Sequence, residues 1–274
     1  MGGRHAATTQ GFYSIWVTAQ NYFLCFGRRP WPTRGGLTSC WSYRRVPYNF
    51  TYLTRMPTSK PRERWADEAC FEVNRERMHV PLRAYESRAA VLGRRLCDEL
   101  PAGPWLLALT PARWSFSLAS KPADAPSVSG PGGFDAAGWG DLQVPCSWEV
   151  AGVGSKPVYL NERYPFKLDP PRVPTDERNE VGSYQVSFTL PARWIGRRSY
   201  LVLDGLGSAA TVWIDGAEVG YSQDSRLPAE FEVTKLVSAE GMSASEHVLS
   251  VQVVRYSDGS YLEDQDQVAS LAAS

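Results

Sequence analysis

Histidine is scarce and cysteine unpatterned in this 274-residue chain. The three histidines, His5, His79 and His247, stand far apart, and no GxSxG, HExxH or P-loop sequence accompanies them. Nucleophilic triads, zincin-type metal hydrolysis and nucleotide hydrolysis therefore have no support in the residues. The five cysteines (Cys25, Cys40, Cys70, Cys97 and Cys146) are odd in number and never spaced CxxC, which argues against a zinc site and against a disulfide framework. With 29 basic and 29 acidic residues the net charge is zero, so nothing in the balance calls for nucleic acid. Nor does any apolar run reach membrane-spanning or secretory length, since 11–26 is broken by Ser14, Thr18, Gln20 and Asn21; no membrane partner is expected.

Acidic residues are missing altogether from 1–60, which holds eight Lys/Arg and leaves 21 basic against 29 acidic residues in 61–274. This leader fits two readings. One is an organelle transit peptide, acidic-poor with arginines (Arg28, Arg29, Arg34, Arg44, Arg45) among Trp, Tyr, Ser and Thr. The other is a spurious or disordered leader, with residues 1–55 foreign to the natural protein, Met56 as the true start and a cytoplasmic location. The sequon Asn49-Phe50-Thr51 has no secretory signal ahead of it, so glycosylation is not expected.

Beyond the leader the dominant pattern is alternation of apolar and polar residues. Trp114, Phe116 and Leu118 alternate with Ser115 and Ser117; Tyr184, Val186, Phe188 and Leu190 with Gln185, Ser187 and Thr189; Leu249, Val251 and Val253 with Ser250 and Gln252. That period of two predicts half-buried strands, and 200–204 and 211–214 are further short apolar runs. Asp215-Gly216 is the strongest hairpin signal in the chain. The Pro/Gly/Ser-rich stretch 120–133 reads as a surface loop. Apart from an Ala/Leu/Arg-rich segment that predicts a helix over 83–97, no helical period intervenes. The fold class expected is all-β, an antiparallel sandwich of jelly-roll type.

Gly205-Leu206-Gly207-Ser208-Ala209-Ala210 matches a dinucleotide-binding turn, but a strand and the Asp215-Gly216 hairpin follow it instead of a helix, so no helix N-terminus is available for a pyrophosphate. A more promising feature is the turn Ser257-Asp258-Gly259 with Glu263, Asp264 and Asp266 close behind. The plain reading is a polar loop at a sheet rim. An EF-hand fails for want of a glycine at the sixth position, and two carboxylates on one extended segment cannot converge on a glycosidic bond from different sides. Their oxygens suit sugar hydroxyls or a hard cation.

Three runs, RYSDGSYLEDQD (255–266), GYSQDSRLPAEFEVT (220–234) and PVYLNERYPFKLDPPRVP (157–174), together resemble the N-terminal sugar-binding domain of β-galactosidases of glycoside hydrolase family 2. The resemblance runs from about Trp65 to Asp266. Beyond the basic leader over 1–60 it implies an opening arm over 61–100 and a jelly-roll domain over 101–274. It also implies that Asn161 contacts a galactosyl group, that Asp266 binds galactosyl hydroxyls and helps ligate Na⁺, and that Mg²⁺ belongs to the full-length enzyme. The family's two catalytic glutamates lie in a (β/α)₈ barrel several hundred residues further on, so this chain is expected to bind a galactoside and not to turn it over. After Asp266 the sequence departs from the family, reading as a truncated or mis-spliced product without the closing strand; the exposed edge would favour self-association. A stand-alone carbohydrate-binding module is the alternative, and it would need surface aromatics for stacking on a sugar face.

Overall fold

The computed structural model describes residues 63–80, 85, 87–89, 104–158, 164–237 and 246–263, together with the backbone of 13–17. Most of the helix expected over 83–97, the Asn49 sequon, and both candidate site residues, Asn161 and Asp266, lie outside the described residues. Residues 1–21 and 63–274 make one compact unit and 22–62 a second; the architecture that follows is that of the first.

The described residues form an antiparallel β-sandwich. Strands β1 (Tyr13–Val17), β2 (Glu72–Val73), β3 (Leu106–Ala108), β4 (Ala112–Ala119), β5 (Gly140–Val144), β6 (Val181–Thr189), β7 (Ser199–Leu203), β8 (Ala209–Ile214), β9 (Ala217–Gln223), β10 (Ala229–Glu232) and β11 (Glu246–Val254) are joined by two four-residue helices, α1 (Thr234–Val237) and α2 (Ser260–Glu263). One sheet has the order β10-β7-β1-β3, the other β2-β9-β8-β11-β6-β4-β5. β1 runs parallel to both its neighbours, and every other strand pairing among the described residues is antiparallel.

Side-chain alternation explains how the two sheets find each other. Leu201, Leu203, Ala229 and Phe231 of the smaller sheet share one core with Trp114, Phe116, Val212, Ile214, Leu249, Val251 and Val253 of the larger. Trp114, Phe116, Leu249, Val251 and Val253 are apolar members of the alternating runs, which the period of two sorts onto the inner face, and Leu201, Leu203, Val212 and Ile214 come from the short apolar runs. The expected hairpin is present: Asp215 (φ 49°) and Gly216 (φ 76°) join β8 to β9 with both residues in the left-handed region. That is the type I′ geometry, whose twist matches the flanking strands. Residues 205–208 lead straight into β8, and the dinucleotide-turn reading fails for the reason given.

The stretch 120–133 is a surface loop, as expected, with Ala123, Asp124, Ser127, Ser129, Pro131 and Gly132 exposed, and it also covers part of the large sheet's outer face. Ser250 and Gln185 lie on the outer face of the large sheet, where the Ser250 hydroxyl donates to Gln185 Oε1 at 3.0 Å and the Phe134 amide donates to the same oxygen at 2.8 Å. Gln252 Nε2 donates to the Pro126 carbonyl at 2.8 Å. The polar alternants of β6 and β11 thus bind loop backbone in place of water, and Phe134, 4% exposed, packs against Trp139 and Trp213. A Cβ on Gly133 would strike both Ser250 Oγ and Gln185 Oε1, which is why the closest approach falls at a glycine.

The opening segment clamps the edges of both sheets. β2 pairs with β9, Arg75 bridges to Phe231, and the Glu76 amide donates to the Glu230 carbonyl at 2.8 Å. Asn74, at φ 55°, turns the chain between these contacts and donates through Nδ2 to the Val219 carbonyl at 3.0 Å.

Candidate functional site

The antiparallel order brings the end of β4, the start of β6, the start of β8 and the ends of β9 and β11 to one rim of the large sheet. A second apolar cluster sits there, including Trp65, Tyr164, Phe166, Val173, Tyr221, Tyr256 and Tyr261. Tyr164 and Phe166 belong to the proline-rich 157–174 segment, Tyr256 and Tyr261 to the turn after β11. Their ring centroids lie 5.0–6.2 Å apart in tilted and edge-on pairs, the arrangement aromatic quadrupoles favour.

Hydrogen bonds fix the two segments in register. Tyr164 Oη donates to the Ser260 carbonyl at 2.9 Å, and Tyr261 Oη donates to the Arg172 carbonyl at 2.6 Å. Each tyrosine therefore anchors on the other segment's backbone. Arg172 meets Asp169 through two bonds, Nε to Oδ2 at 2.8 Å and Nη2 to Oδ1 at 2.9 Å, which hold this exposed carboxyl below its ordinary range. The fully buried Asn179 extends the β6–β11 ladder by one rung. It takes the Tyr256 amide on Oδ1 and gives Nδ2 to the Tyr256 and Pro174 carbonyls, all at 2.9 Å.

A third segment closes the rim. Glu263 Oε1 accepts from the Ser225 amide at 2.7 Å, and Asp224 Oδ1 accepts from the amides of Arg226 and Leu227 at 2.8 and 3.0 Å. Burial raises the Glu263 carboxyl against the opposing Ser225 bonds. Asp258, 6% exposed, takes Gln223 Nε2 on Oδ1, and Gln223 Oε1 in turn accepts from Tyr221 Oη at 2.6 Å. Its Oδ2 is buried without a partner, and desolvation raises the Asp258 carboxyl, with Gln223 opposing.

On the other side of the rim, Arg255 is gripped by two carboxylates, Glu149 Oε1 at 3.2 Å and Glu180 Oε2 at 3.0 Å. Glu180 Oε1 also accepts from the Ser155 amide and hydroxyl at 2.8 and 2.9 Å. The loop 147–156, which leads into the segment bearing Asn161, is thereby tied to the end of β11.

Of the acidic group singled out in the sequence, Asp258 and Glu263 are load-carrying members of the rim and not free ligands, because burial and backbone donors engage them. Asp264 and Asp266 lie outside the described residues, as does Asn161. Sequence reasoning passed over Asn179, Gln223 and Arg255. Only Arg255 carried a signal, as a charge directly after an apolar strand. Among the described residues no group of three or more His, Cys, Asp or Glu side chains could hold a metal ion.

Comparison with known proteins gives this rim a family. Residues 108–272 match the model of the glycosyl hydrolases family 2 sugar binding domain. A beta-galactosidase of Psychromonas ingrahamii is 39% identical over 202 residues, covering 74% of this chain and 18% of the relative; one of Vibrio cholerae is 42% identical over 193 residues, 69% and 17%. The chain thus spans under a fifth of the length of these curated relatives. Among solved structures, a Faecalibacterium prausnitzii β-glucuronidase overlaps 53% of this chain and 20% of its own at a TM-score of 0.36 and 21% identity. The family match extends from β3 through the junction of the tyrosines to beyond Glu263, over more than half of the sequence, and so this chain belongs to the glycosyl hydrolases family 2 sugar-binding domain family.

Proposed function

We propose that this chain is the galactoside-binding domain of a β-galactosidase, supplying contacts from Asn161 and Asp266 to a catalytic centre that other parts of such an enzyme carry. The observation that supports this reading is the tyrosine-anchored junction of two segments. Asn161 stands three positions before Tyr164, and Asp266 three positions after Glu263. Three residues of chain reach about 11 Å at most, so both candidates are tethered to one buried, hydrogen-bonded rim. The prolines at 165, 170, 171 and 174 stiffen that rim and lower the entropy cost of presenting a side chain to a sugar.

Hydrolysis of a terminal β-D-galactoside needs two carboxyls converging on the scissile bond. Burial and backbone donors already engage Asp258 and Glu263, so the chain's part is binding. The module reading is disfavoured at this rim because Tyr164, Phe166, Tyr256 and Tyr261 are buried against one another and offer no ring face to a sugar. A Na⁺ at Asp266 would be held by oxygen ligands, for which backbone carbonyls and hydroxyls serve as well as carboxylates.

A charged acceptor contributes about 1.5–3 kcal/mol per hydrogen bond against ~1 for a neutral one. Asp266→Ala should therefore lower kcat/KM more than Asn161→Ala when residues 61–266 are grafted onto the remaining domains of a full-length relative and assayed across sodium concentrations. An Asp266→Ala graft with unchanged rate and unchanged sodium dependence would refute the assignment.

A further inference from the structure

We infer that the outer face of the large sheet, where β4 and β5 form its edge, is a saccharide-binding surface built around Trp139. Three observations lead there. First, Phe134, Trp139 and Trp213 make an aromatic group that belongs to neither apolar core. Phe134 is buried, with its ring centroid 5.4 Å from that of Trp139 and 5.8 Å from that of Trp213, and both tryptophans are half-buried. Neither tryptophan has a hydrogen bond through its indole N–H, and neither nitrogen is buried. Phe134 therefore fixes each indole while its donor stays in contact with water, the amphipathic arrangement that suits a tryptophan to binding.

Second, the polar side chains beside Trp139 are uncommitted. In the strand register Trp213, Ser250, Gln185, Ser115 and Asp141 stand side by side across the sheet from β8 to β5. The middle of this row is engaged: the Ser250 hydroxyl donates to Gln185, which also holds the Phe134 amide. Its β4–β5 end is not. Ser115 and Asp141 bond no described residue, and neither does Arg113, which pairs with Gln143 two places along β5 from Asp141. Arg113 and Asp141 are thus diagonal neighbours about 7–8 Å apart, both exposed and without an ion pair among the described residues. Asp141 follows Trp139 by two, the spacing that puts both on one face about 7 Å apart.

Third, the mixture of groups selects the ligand. Asp141 accepts hydrogen bonds, Arg113 donates them and Ser115 does both, while Trp139 adds an apolar ring with a donor at its edge. A saccharide presents the matching mixture, C–H groups on the face of the sugar ring and hydroxyls that donate and accept around it. A protein partner would call for a wider apolar patch, and a nucleic acid for a net positive surface, which Asp141 opposes. Carried on neighbouring strands, these side chains keep their spacing without a loop having to be ordered, so binding costs little entropy. β5 is the last strand of its sheet, and Arg113, Asp141 and Gln143 are exposed. The surface is therefore open, a shape for an extended chain of sugars and not for one enclosed sugar.

This surface does not depend on the function proposed for the rim, and the test keeps the two apart. The full chain is run on native gels containing soluble β-1,4-galactan, xyloglucan or mixed-linkage β-glucan, and retardation by at least one of them is expected. In that gel Trp139→Ala should raise the polysaccharide concentration for half-maximal retardation about tenfold, and Asp141→Ala and Arg113→Ala several-fold each. Asn161→Ala and Asp266→Ala should leave it unchanged. Far-UV circular dichroism reports folding, and the Asp141 and Arg113 variants, changed at exposed positions, carry the test if Trp139→Ala does not fold. A wild-type chain that none of the polysaccharides retards would overturn the inference. So would retardation that folded Asp141→Ala and Arg113→Ala chains keep at wild-type strength, or that Asn161→Ala and Asp266→Ala abolish while Trp139→Ala does not.

Discussion

Replacing Asn179 should unfasten the rim, and the size of the effect can be worked from its three bonds. The side chain acts as a substitute peptide group: its oxygen takes the Tyr256 amide, and its nitrogen serves the carbonyls of Tyr256 and Pro174, each at 2.9 Å. Asn179 and Tyr256 are 0% and 3% exposed, so water cannot easily take over. Leaving a buried polar group unpaired costs about 1–3 kcal/mol, less for a carbonyl than for an N–H. One orphaned amide and two weakened carbonyls put Asn179→Ala at about 3–4 kcal/mol. At about 2–4 °C per kcal/mol for a unit of this size, the melting temperature should fall by about 10 °C. Asn179→Asp separates the hydrogen-bonding account from mere packing. It keeps an acceptor for Tyr256 but faces two carbonyls with a carboxylate, so it should be at least as damaging at pH 7 and recover as the pH falls and the carboxyl regains a donor. Urea unfolding at pH 7 and pH 4, with m-values compared, measures both. An Asn179→Ala variant within about 0.5 kcal/mol of wild type, or an Asp variant insensitive to pH, would refute the reasoning.

Two further outcomes are expected. Arg255→Ala should destabilise the domain by about 3 kcal/mol, because it strands the buried Glu180 and frees Glu149; Arg255→Lys should restore less than half of that in urea titrations, since one ammonium cannot span both carboxylates. Asp258→Asn should stabilise relative to wild type as the pH rises. Burial raises the folded-state carboxyl above its unfolded value of 3.8, so its contribution is present below that pH and lost as pH climbs through the folded value; unfolding free energies of the two proteins that run parallel from pH 3.5 to 7.5 would contradict this.

Much of the sandwich was legible because its strands obey one local rule. Trp114, Phe116, Leu249, Val251 and Val253 alternate in sequence and face the core in the structure, and Asp215-Gly216 announces a turn whose backbone only such residues adopt easily. The loop 120–133 shows where local rules stop. Its composition is that of a surface loop, yet it is held down by Gln185, Ser250 and Gln252, side chains the same alternation assigns to the outer face. Whether an outward polar side chain meets water or another segment's backbone is decided by tertiary arrangement, which no window of a dozen residues contains. β1 is the extreme case, since nothing local to Tyr13–Val17 names partners as distant as Leu106–Ala108 and Ser199–Leu203.

The acidic group teaches the same lesson at the level of chemistry. Asp258, Glu263, Asp264 and Asp266 look alike in sequence, a row of oxygens at a sheet rim. The structure shows what surrounds two of them. Asp258 is turned inward against Gln223 with burial raising its carboxyl, and Glu263 is drawn to the Ser225 amide. These two hold the turn that carries the segment onward to Asp266, as the tyrosines hold the segment leading back to Asn161. On the proposed reading, such a rim would separate the residues that fix geometry from Asn161 and Asp266, which would meet the ligand. The separation has a consequence for variants of the completed enzyme. A change at Asn179 or Arg255 should lower stability and affinity together through the shared scaffold, whereas a change at Asn161 or Asp266 should lower affinity with the melting temperature unchanged.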